Sequence, residues 1–410
     1  MQPEELFALA LGITDPWEVT DVAFSGENKR LDIKIDFKRG ALFPCPVCGE
    51  MVRVHDTTDK TWRHMNFFQY EAYLTARTPR VRCPKEGCGV KQVTVPWARA
   101  GSSFTLLFEA LTMALVREMP VKITGAHLNE HDTRIWRIID HYVEEARALA
   151  DFSTTTKIGT DETSAKKGHN YITLFHDMVS RRLLFATIGK DHTTVKAFAD
   201  DFKSHNGCLE NVTSACIDMS QAFVKGIKEV LPKAEITFDP FHVIQIMNKA
   251  LGEVRAEEAR LFPDILKGTR YVYLKNPENL TVKQDKTLIK LSNYNLKTGR
   301  TYLIKLALQD VYFASSREEG ETRLKTWYNW AIRSQIEQVK GVAKTIKGHW
   351  NGILAWFNSK LSNGYVEAVN GLIQAAKRRA RGYKTGKNLI NMAYLIAGKL
   401  NFRLPVIHAV

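Results

Sequence analysis

Lys157-Ile158-Gly159-Thr160-Asp161-Glu162-Thr163 is a short β-rich run that ends on an acid and passes into a polar loop. A second run of the same kind, Asn211-Val212-Thr213-Ser214-Ala215-Cys216-Ile217-Asp218, also closes on a carboxylate. Between and after them, apolar alternation predicts strands over 170–176, 182–188 and 235–238. Helical spacing predicts helices over 193–204 and 221–230, the latter ended by Pro232. The order βββαβαβ suits three antiparallel strands followed by strands joined through right-handed crossovers. In a sheet wound that way the first and fourth strands are neighbours, so Asp161 and Asp218 converge. A third acid, Glu367, stands in the helical pattern Asn363-Gly364-Tyr365-Val366-Glu367-Ala368-Val369-Asn370. Three such carboxylates are the hard oxygen donors a two-metal phosphoryl-transfer site needs. Two Mg²⁺ (or Mn²⁺) ions about 4 Å apart clamp the attacking and leaving oxygens there.

The strand order reads as a ribonuclease H-like α/β core, and it separates these acids from their competitors. Glu162 should face the opposite side of the sheet from Asp161, by strand alternation. Asp177 falls at the end of the second strand and reads as a turn residue. Asp239-Pro240-Phe241-His242 follows the last strand. Asp239 is a candidate partner beside the metal-binding acids, and His242 a candidate to orient a ligand or contact phosphate.

The chain has 410 residues, which predicts two to four domains. Its 44% hydrophobic and 25% charged content is that of a globular protein. A net charge of +14 favours a polyanionic partner, because a basic surface gains affinity by releasing counterions from phosphates. The alternative is a basic protein with no such partner. No signal-like start and no uncharged run near the roughly 18 residues of a membrane span occurs. No membrane partner is expected, and the six cysteines should stay reduced unless they bind metal.

At the N-terminal end a short helix is expected over 4–12, then strands over 17–24 and 31–37. Cys45-Pro46-Val47-Cys48-Gly49 and Cys83-Pro84-Lys85-Glu86-Gly87-Cys88-Gly89 follow. Two close cysteine pairs, each followed by a glycine that lets backbone N–H groups turn toward sulfur, point to one structural Zn²⁺ held by four thiolates. A chance pairing or a redox Cys-x-x-Cys is the alternative. His55 and His64 lie between the pairs and could replace a thiolate, though four cysteines suffice. Strands over 67–75 and 79–82 would form a small β ribbon, to which the metal would contribute on the order of 10 kcal/mol. Cys208 and Cys216 read as buried structural thiols. Helices over 104–119, 121–128 and 133–148, broken at Pro120 and at Asn129-Glu130-His131-Asp132, spell a helix-turn-helix. Its last helix would present His131, Thr133, Arg134 and Arg137 to DNA and turn Ile135, Ile138, Ile139 and Val143 inward. Any small three-helix unit shares that pattern.

After His242 the chain reads helical over 242–260, 282–291, 298–314, 317–340 and part of 264–273. Trp327, Tyr328 and Trp330 are either core or stacking platforms for bases. Glu367, Asn370, Gly371 and Gln374 share one helix face. Lys377, Arg378, Arg379, Arg381 and Lys384 then form a basic run without an acid. It is either a solvated charged face or a grip on the phosphates flanking a scissile bond.

The two cysteine pairs, the helix-turn-helix, Gly159-Thr160-Asp161-Glu162, Ile217-Asp218-Met219-Ser220, Asp239-Pro240-Phe241-His242 and Ser362-Asn363-Gly364-x-x-Glu367-x-x-Asn370 resemble the ISL-three family of bacterial insertion-sequence transposases, which are DDE enzymes. The likeness covers nearly the whole chain in order. It implies that Asp161, Asp218 and Glu367 are the metal-binding catalytic triad, and that an all-α insertion separates the last strand from the Glu367 helix. Asp-x-x-His is similar to a motif of Mutator-like transposases, and Ala368 stands where the family leads one to expect glycine. The expectation is a multidomain α+β protein. It would have an N-terminal β segment with the zinc module (1–98), a helix-turn-helix (99–150), a ribonuclease H-like core in two parts (151–242 and 348–410) and an all-α insertion (243–347). It would bind terminal inverted repeats and join them to target double-stranded DNA, as a homodimer or higher synaptic complex in the bacterial cytoplasm, nucleoid-associated when DNA-bound. A ribonuclease H-like nuclease without transposition, and a DNA-binding regulator with a vestigial core, are the alternatives.

Overall fold

Two β-sheets, with three helices between them in the sequence, give the chain its framework in a computed structural model that describes residues 2–168 and 170–406. The residues fall into two compact units, Met1–Glu144 with Asn401–Val410, and Glu145–Leu400.

The first unit opens with α1 (Pro3–Leu11), followed by β1 (Trp17–Ser25), β2 (Arg30–Phe37), β3 (Leu42–Pro44), β4 (Met51–Arg63), β5 (Glu71–Cys83) and β6 (Gly89–Gln92). The sheet order is β1-β2-β5-β4-β3, with β6 also paired to β5. Leu31, Ile33 and Ile35 alternate inward on β2 and Ala72, Leu74 and Ala76 on β5, all buried. Trp97 meets Trp17 and Trp62 edge-on, with ring centroids 5.0 and 5.6 Å away.

Two expectations change here. The strands expected over 67–75 and 79–82 are one strand, β5. It pairs with β2 as far as Ala76 and with β6 from Arg80, so Pro79 lies in the gap between partners, where its missing N–H is not called upon. Strand β4 carried no sequence signal because most of its side chains are polar and wet. It exists because β5 pairs along its length. The cysteine module is therefore not a ribbon that only metal can hold. Its long strands run into an apolar core of their own.

Helices α2 (Leu106–Glu118), α3 (Val121–Leu128) and α4 (Asp132–Ala148) follow. The Thr105 hydroxyl caps α2 by accepting from the Phe108 N–H at 3.3 Å. Asn129, at φ +51°, ends α3 in the left-handed region. Ile135, Ile138, Ile139 and Val143 are buried as expected. Beneath α4 the buried Glu109 carboxylate accepts from Arg99, Ser102 and Tyr142, at 2.6–3.1 Å.

The second unit holds β7 (Lys157–Lys166), β8 (Asn170–Asp177), β9 (Arg182–Ile188), α5 (His192–Ser204), β10 (Ser214–Ile217), α6 (Gln221–Val230) and β11 (Glu235–Phe238). The order is β11-β10-β7-β8-β9, with β10 parallel to both its neighbours. The first and fourth of these strands are thus side by side. Strand β7 does not end at Asp161, because β8 continues to pair with it to Lys166 while β10 lets go at Gly159.

Every described element from Pro240 to Ser359 is helical: α7 (Pro240–Leu261), α8 (Pro263–Leu266), α9 (Arg270–Leu274), α10 (Val282–Ser292), α11 (Lys297–Asp310), α12 (Arg317–Ile332), α13 (Glu337–Gly348), α14 (Trp350–Leu354) and α15 (Trp356–Ser359), with short 3-10 turns between some of them. The single helix expected over 317–340 is two, because Gln335 turns at φ +60° between α12 and α13. Trp327 is buried and donates its indole N–H to the Ile304 carbonyl at 2.9 Å, so it is core and no platform for a base. Trp330 is 45% exposed. Helices α16 (Gly364–Arg379) and α17 (Gly386–Ala397) complete the unit. Its core runs from Ile158, Phe175 and Phe198 through Ile217, Phe238 and Val243 to Leu324 and Trp327. Cys216 is buried as expected, whereas Cys208 is exposed because it lies in the loop after α5. Among the described residues no helix is long and apolar enough to cross a membrane.

The turn between α3 and α4 yields a stability test. A Cβ on Gly125 would come within 2.5 Å of the Glu130 carbonyl oxygen, a backbone atom that also accepts no relief from a flexible side chain. Gly125→Ala is expected to cost about 1–3 kcal/mol, read as a fall in melting temperature.

Candidate functional site

Three elements carry the acids, and charge effects link Asp161 to Asp218 and to Glu367. Strand β7 carries Asp161 just past Gly159, where its pairing with β10 stops. Strand β10 ends at Ile217, so Asp218 follows at its tip. Glu367 occupies the first turn of α16, where its charge meets the positive end of the helix. Its N–H donates to the Asn363 carbonyl at 2.7 Å. Close approach of helix to strand depends on Gly159, at which a Cβ would lie 2.3 Å from Met178 Sδ and 3.2 Å from Asn363 Oδ1.

Asp239 stands at the start of α7, and His242 one turn later. One ligand atom from each of Asp239, His242 and Glu367 lies within 4.8 Å of the other two. Buried atoms of this neighbourhood without a hydrogen-bond partner include Asp239 Oδ2, His242 Nε2, Glu367 Oε1 and Asn370 Oδ1. Leaving such atoms unpaired costs about 1–3 kcal/mol each. Two carboxylates gathered with an imidazole nitrogen, each with an atom left unpartnered, are a set that a divalent cation fits.

The electrostatics agree with that fit. Burial lifts the Asp161 carboxyl above its ordinary value and the Asp218 charge adds to it, against the Glu162 N–H, His242 and the Asn370 amide, which favour the ionised form. Burial also raises Glu367, assisted by the Asp239 and Asp161 charges, and burial raises Asp239. Glu162, the neighbour of Asp161 on β7, feels the charge of the site. It is pushed up to about 7 by burial and by the charges of Asp218 and Asp161. The reason is that β10 no longer covers β7 beyond Gly159, so the tip of β10 is within electrostatic reach of both acids. Asp177 is the turn residue expected, accepting from Thr155 Oγ1 and from the Val179 and Ser180 N–H groups at 2.8–3.1 Å.

Helix α16 is tied to β7 by amides. Asn363 Nδ2 donates to the Thr160 carbonyl at 3.1 Å, Asn370 Nδ2 to Asp161 Oδ2 at 2.8 Å, and Gln374 Nε2 to Thr163 Oγ1 and the Ser164 carbonyl at 2.8 Å. Lys377 ends this row, donating to the Ser164 carbonyl at 2.7 Å. Its ammonium is engaged within the fold, unlike the exposed Arg378, Arg379, Arg381 and Lys384 that follow. Sequence reading placed Asn370 and Gln374 on the face of Glu367 without giving them a task. The signal was their spacing, one and two turns beyond the acid.

In the first unit, Cys45, Cys48, Cys83 and Cys88 place their Sγ atoms within 4.8 Å of one another. Gly49 and Gly89 take φ values of +74° and +62°, which a side chain would resist. The backbone N–H groups of Cys48 and Val47 point at Cys45 and lower its thiol to about 7, while burial pushes Cys88 up to about 12. Four crowded thiols of this kind ionise together only around a cation, which is the donor set of a tetrahedral zinc site. His64 is occupied elsewhere, with Nδ1 2.8 Å from Thr105 Oγ1. His131, just ahead of α4, and Thr133 and Arg137 on it are exposed. Arg134 is held by the protein itself, over the Phe104 ring at 4.3 Å and bonded to Glu130 and Ser103.

The chain matches three protein-family models. One described as "Transposase", the DDE region of family ISL3, covers residues 158–393. "Helix-turn-helix domain of transposase family ISL3" covers 93–143, and "zinc-finger of transposase IS204/IS1001/IS1096/IS1165" covers 41–88. The chain is 29% identical over 448 residues to the transposase for insertion sequence element IS1557 of Mycobacterium tuberculosis (strain CDC 1551 / Oshkosh), covering 100% of this chain and 98% of that protein. It is 28% identical over 356 residues to the transposase for insertion sequence element IS1001 of Bordetella parapertussis, covering 83% and 85%. With a match to the DDE region that spans more than half its length, and with the zinc-finger and helix-turn-helix of the same family ahead of it, the chain belongs to the ISL3 family of transposases.

Proposed function

We propose that the protein cuts the ends of an insertion sequence and joins them to target DNA, with Asp161, Asp218 and Glu367 as the catalytic acids. The observation that carries this reading is the gathering of Asp239, His242 and Glu367 beside Asp161, with ligand atoms buried and unpartnered. Two Mg²⁺ (or Mn²⁺) ions held by Asp161, Asp218 and Glu367 would supply the charge that makes water or a 3′-hydroxyl nucleophilic and that offsets charge on the leaving oxygen.

The chain's own residues do the rest. Asp161 and Asp218 would hold the ion that activates the nucleophile, and Asp161 and Glu367 the ion beside the leaving oxygen. Asp239 and His242 support Glu367, with His242 Nε2 4.0 Å from Glu367 Oε1. No serine or tyrosine nucleophile is required, since the attacking group is water and then the DNA end itself. The exposed Arg378, Arg379, Arg381 and Lys384, on and just past the helix that bears Glu367, hold phosphates near the scissile bond. Arg137 on α4 reads the element end.

The second unit is read as a ribonuclease H-like core (151–242 and 348–410) interrupted by an all-α insertion (243–347). The strand order β11-β10-β7-β8-β9 and the unbroken run of helices support that reading. The 1–98 segment, with one structural Zn²⁺, and the 99–150 helix-turn-helix recognise terminal inverted repeats. Cutting and joining two ends together calls for a homodimer or a larger synaptic complex, acting in the bacterial cytoplasm.

Asp161→Asn, Asp218→Asn and Glu367→Gln should each lower Mg²⁺-dependent cleavage of end-bearing DNA by more than about 100-fold, because losing groups one step further from a metal already costs about 10–100-fold. DNA affinity, measured alongside by gel shift, should stay near wild type; a protein that binds the ends but never cuts them would instead be a regulator. Replacing Arg378 and Arg379 by alanine should flatten the salt dependence of binding by up to about two units of log–log slope. Metal analysis should find one zinc per chain, lost in Cys83→Ser, while tryptophan emission stays native-like because Trp17, Trp62 and Trp97 pack in the sheet's own core.

A further inference from the structure

Asp161 and Glu367 lie on different elements, and no backbone ladder sets the distance between a strand and a helix. Side chains must do it. The Asp161 carboxylate is fixed at both oxygens: Oδ1 accepts from the Glu162 N–H at 2.8 Å, and Oδ2 from Asn370 Nδ2 at 2.8 Å. Each oxygen keeps a lone-pair direction free for a ligand. The donor of the second bond sits one helical turn beyond Glu367, on the same face of α16.

We infer that Asn370 is a positioning residue, whose amide holds Asp161 in register with Glu367 so that the two acids can serve one divalent cation. The inference rests on the reading of Asp161 and Glu367 as cation ligands. Residue chemistry makes asparagine suited to the place. Its amide is neutral, so it orients the carboxylate without cancelling the charge a cation needs, as a lysine or arginine would. Its oxygen is buried with no partner, so no protein group besides Asp161 determines which end of the amide faces the strand. Gln374 is the internal comparison. It joins the same helix to the same strand through Thr163 and Ser164 and touches no acid.

The test is calorimetric titration of the full-length, zinc-loaded protein with Mn²⁺, with cleavage of end-bearing DNA followed against Mn²⁺ concentration. Asn370→Ala is expected to weaken Mn²⁺ binding about 10–100-fold and to recover cleavage when Mn²⁺ is raised. Asn370→Leu, which keeps the volume and removes the donor, is expected to behave likewise and guards against a collapse of the alanine variant. Gln374→Ala should bind Mn²⁺ within about threefold of wild type, since it leaves both acids in place. Wild-type Mn²⁺ affinity in both Asn370 variants would overturn the inference, as would an equal loss in Gln374→Ala, which would make the contacts mere helix packing. Asp161→Asn separates the two levels. If it binds Mn²⁺ and cuts like wild type, the catalytic reading falls and the inference with it. If it fails while the Asn370 variants do not, the inference alone falls.

Discussion

The seam between β7 and α16 is the constraint on which the second unit depends. Asp161 and Glu367 come from opposite ends of that unit, and the amides joining them span more than 200 positions of sequence, with Asn370 reaching Asp161 across 209. Ordering so distant a pair costs conformational entropy before any contact rewards it. The return comes from several bonds in one row, each made by a side chain that suits both partners. Gly159 allows the helix start to approach, Asn363 and Gln374 satisfy strand groups that β10 has ceased to cover, and Val366, Val369 and Ile373 bury the adjoining side of the same helix.

The seam also concentrates negative charge. Asp161, Glu162, Asp239 and Glu367 are all raised, in each case chiefly by burial. Protein groups offset part of that cost: one N–H and one amide at Asp161, the Asn363 and Phe241 N–H groups at Asp239, the Lys190 charge at Glu162 and the imidazole of His242. The fold therefore holds carboxylates in a condition that their own surroundings do not balance, which is how a site prepared for cations differs from a closed ion pair. The cysteine cluster of the first unit obeys the same logic with softer donors. There, backbone N–H groups favour the Cys45 thiolate, while burial and then the neighbouring thiols disfavour that of Cys88.

Much of this was legible in the sequence, for identifiable reasons. Strands β7 to β11 and helices α5 and α6 announce themselves through apolar alternation and helical spacing. The adjacency of β7 and β10 follows from winding rules, and the cysteine spacing names its own chemistry. What failed to show did so where pattern and tertiary pairing part company. Strand β4 is polar on most of its length and owes its existence to β5. The break at Gln335 has no proline or glycine to mark it. The rise of Glu162 did not show because alternation takes no account of where a neighbouring strand stops. Trp327 and Trp330, three positions apart, have opposite fates because only one of them faces Ile304. Lys377 reads as the first of a basic run and is in fact the last member of the seam.

The continuity of the core through the second unit has a consequence for how such a chain can change over time. Phe238 and Val243, at the edge of the sheet, share one apolar cluster with Ile304, Leu324 and Trp327. Helix α7 starts at the acids and reaches Glu258, whose carboxylate accepts from the Lys297 and Thr298 N–H groups that begin α11. The helices between the last strand and α16 are thus not a cassette that can be swapped for another of equal length. Exchange would strip the packing from the very strand end that presents Asp239, so sheet and helices are bound to diversify as one block. Freedom to vary lies at wet positions such as the loop of Cys208, where a substitution disturbs neither layer.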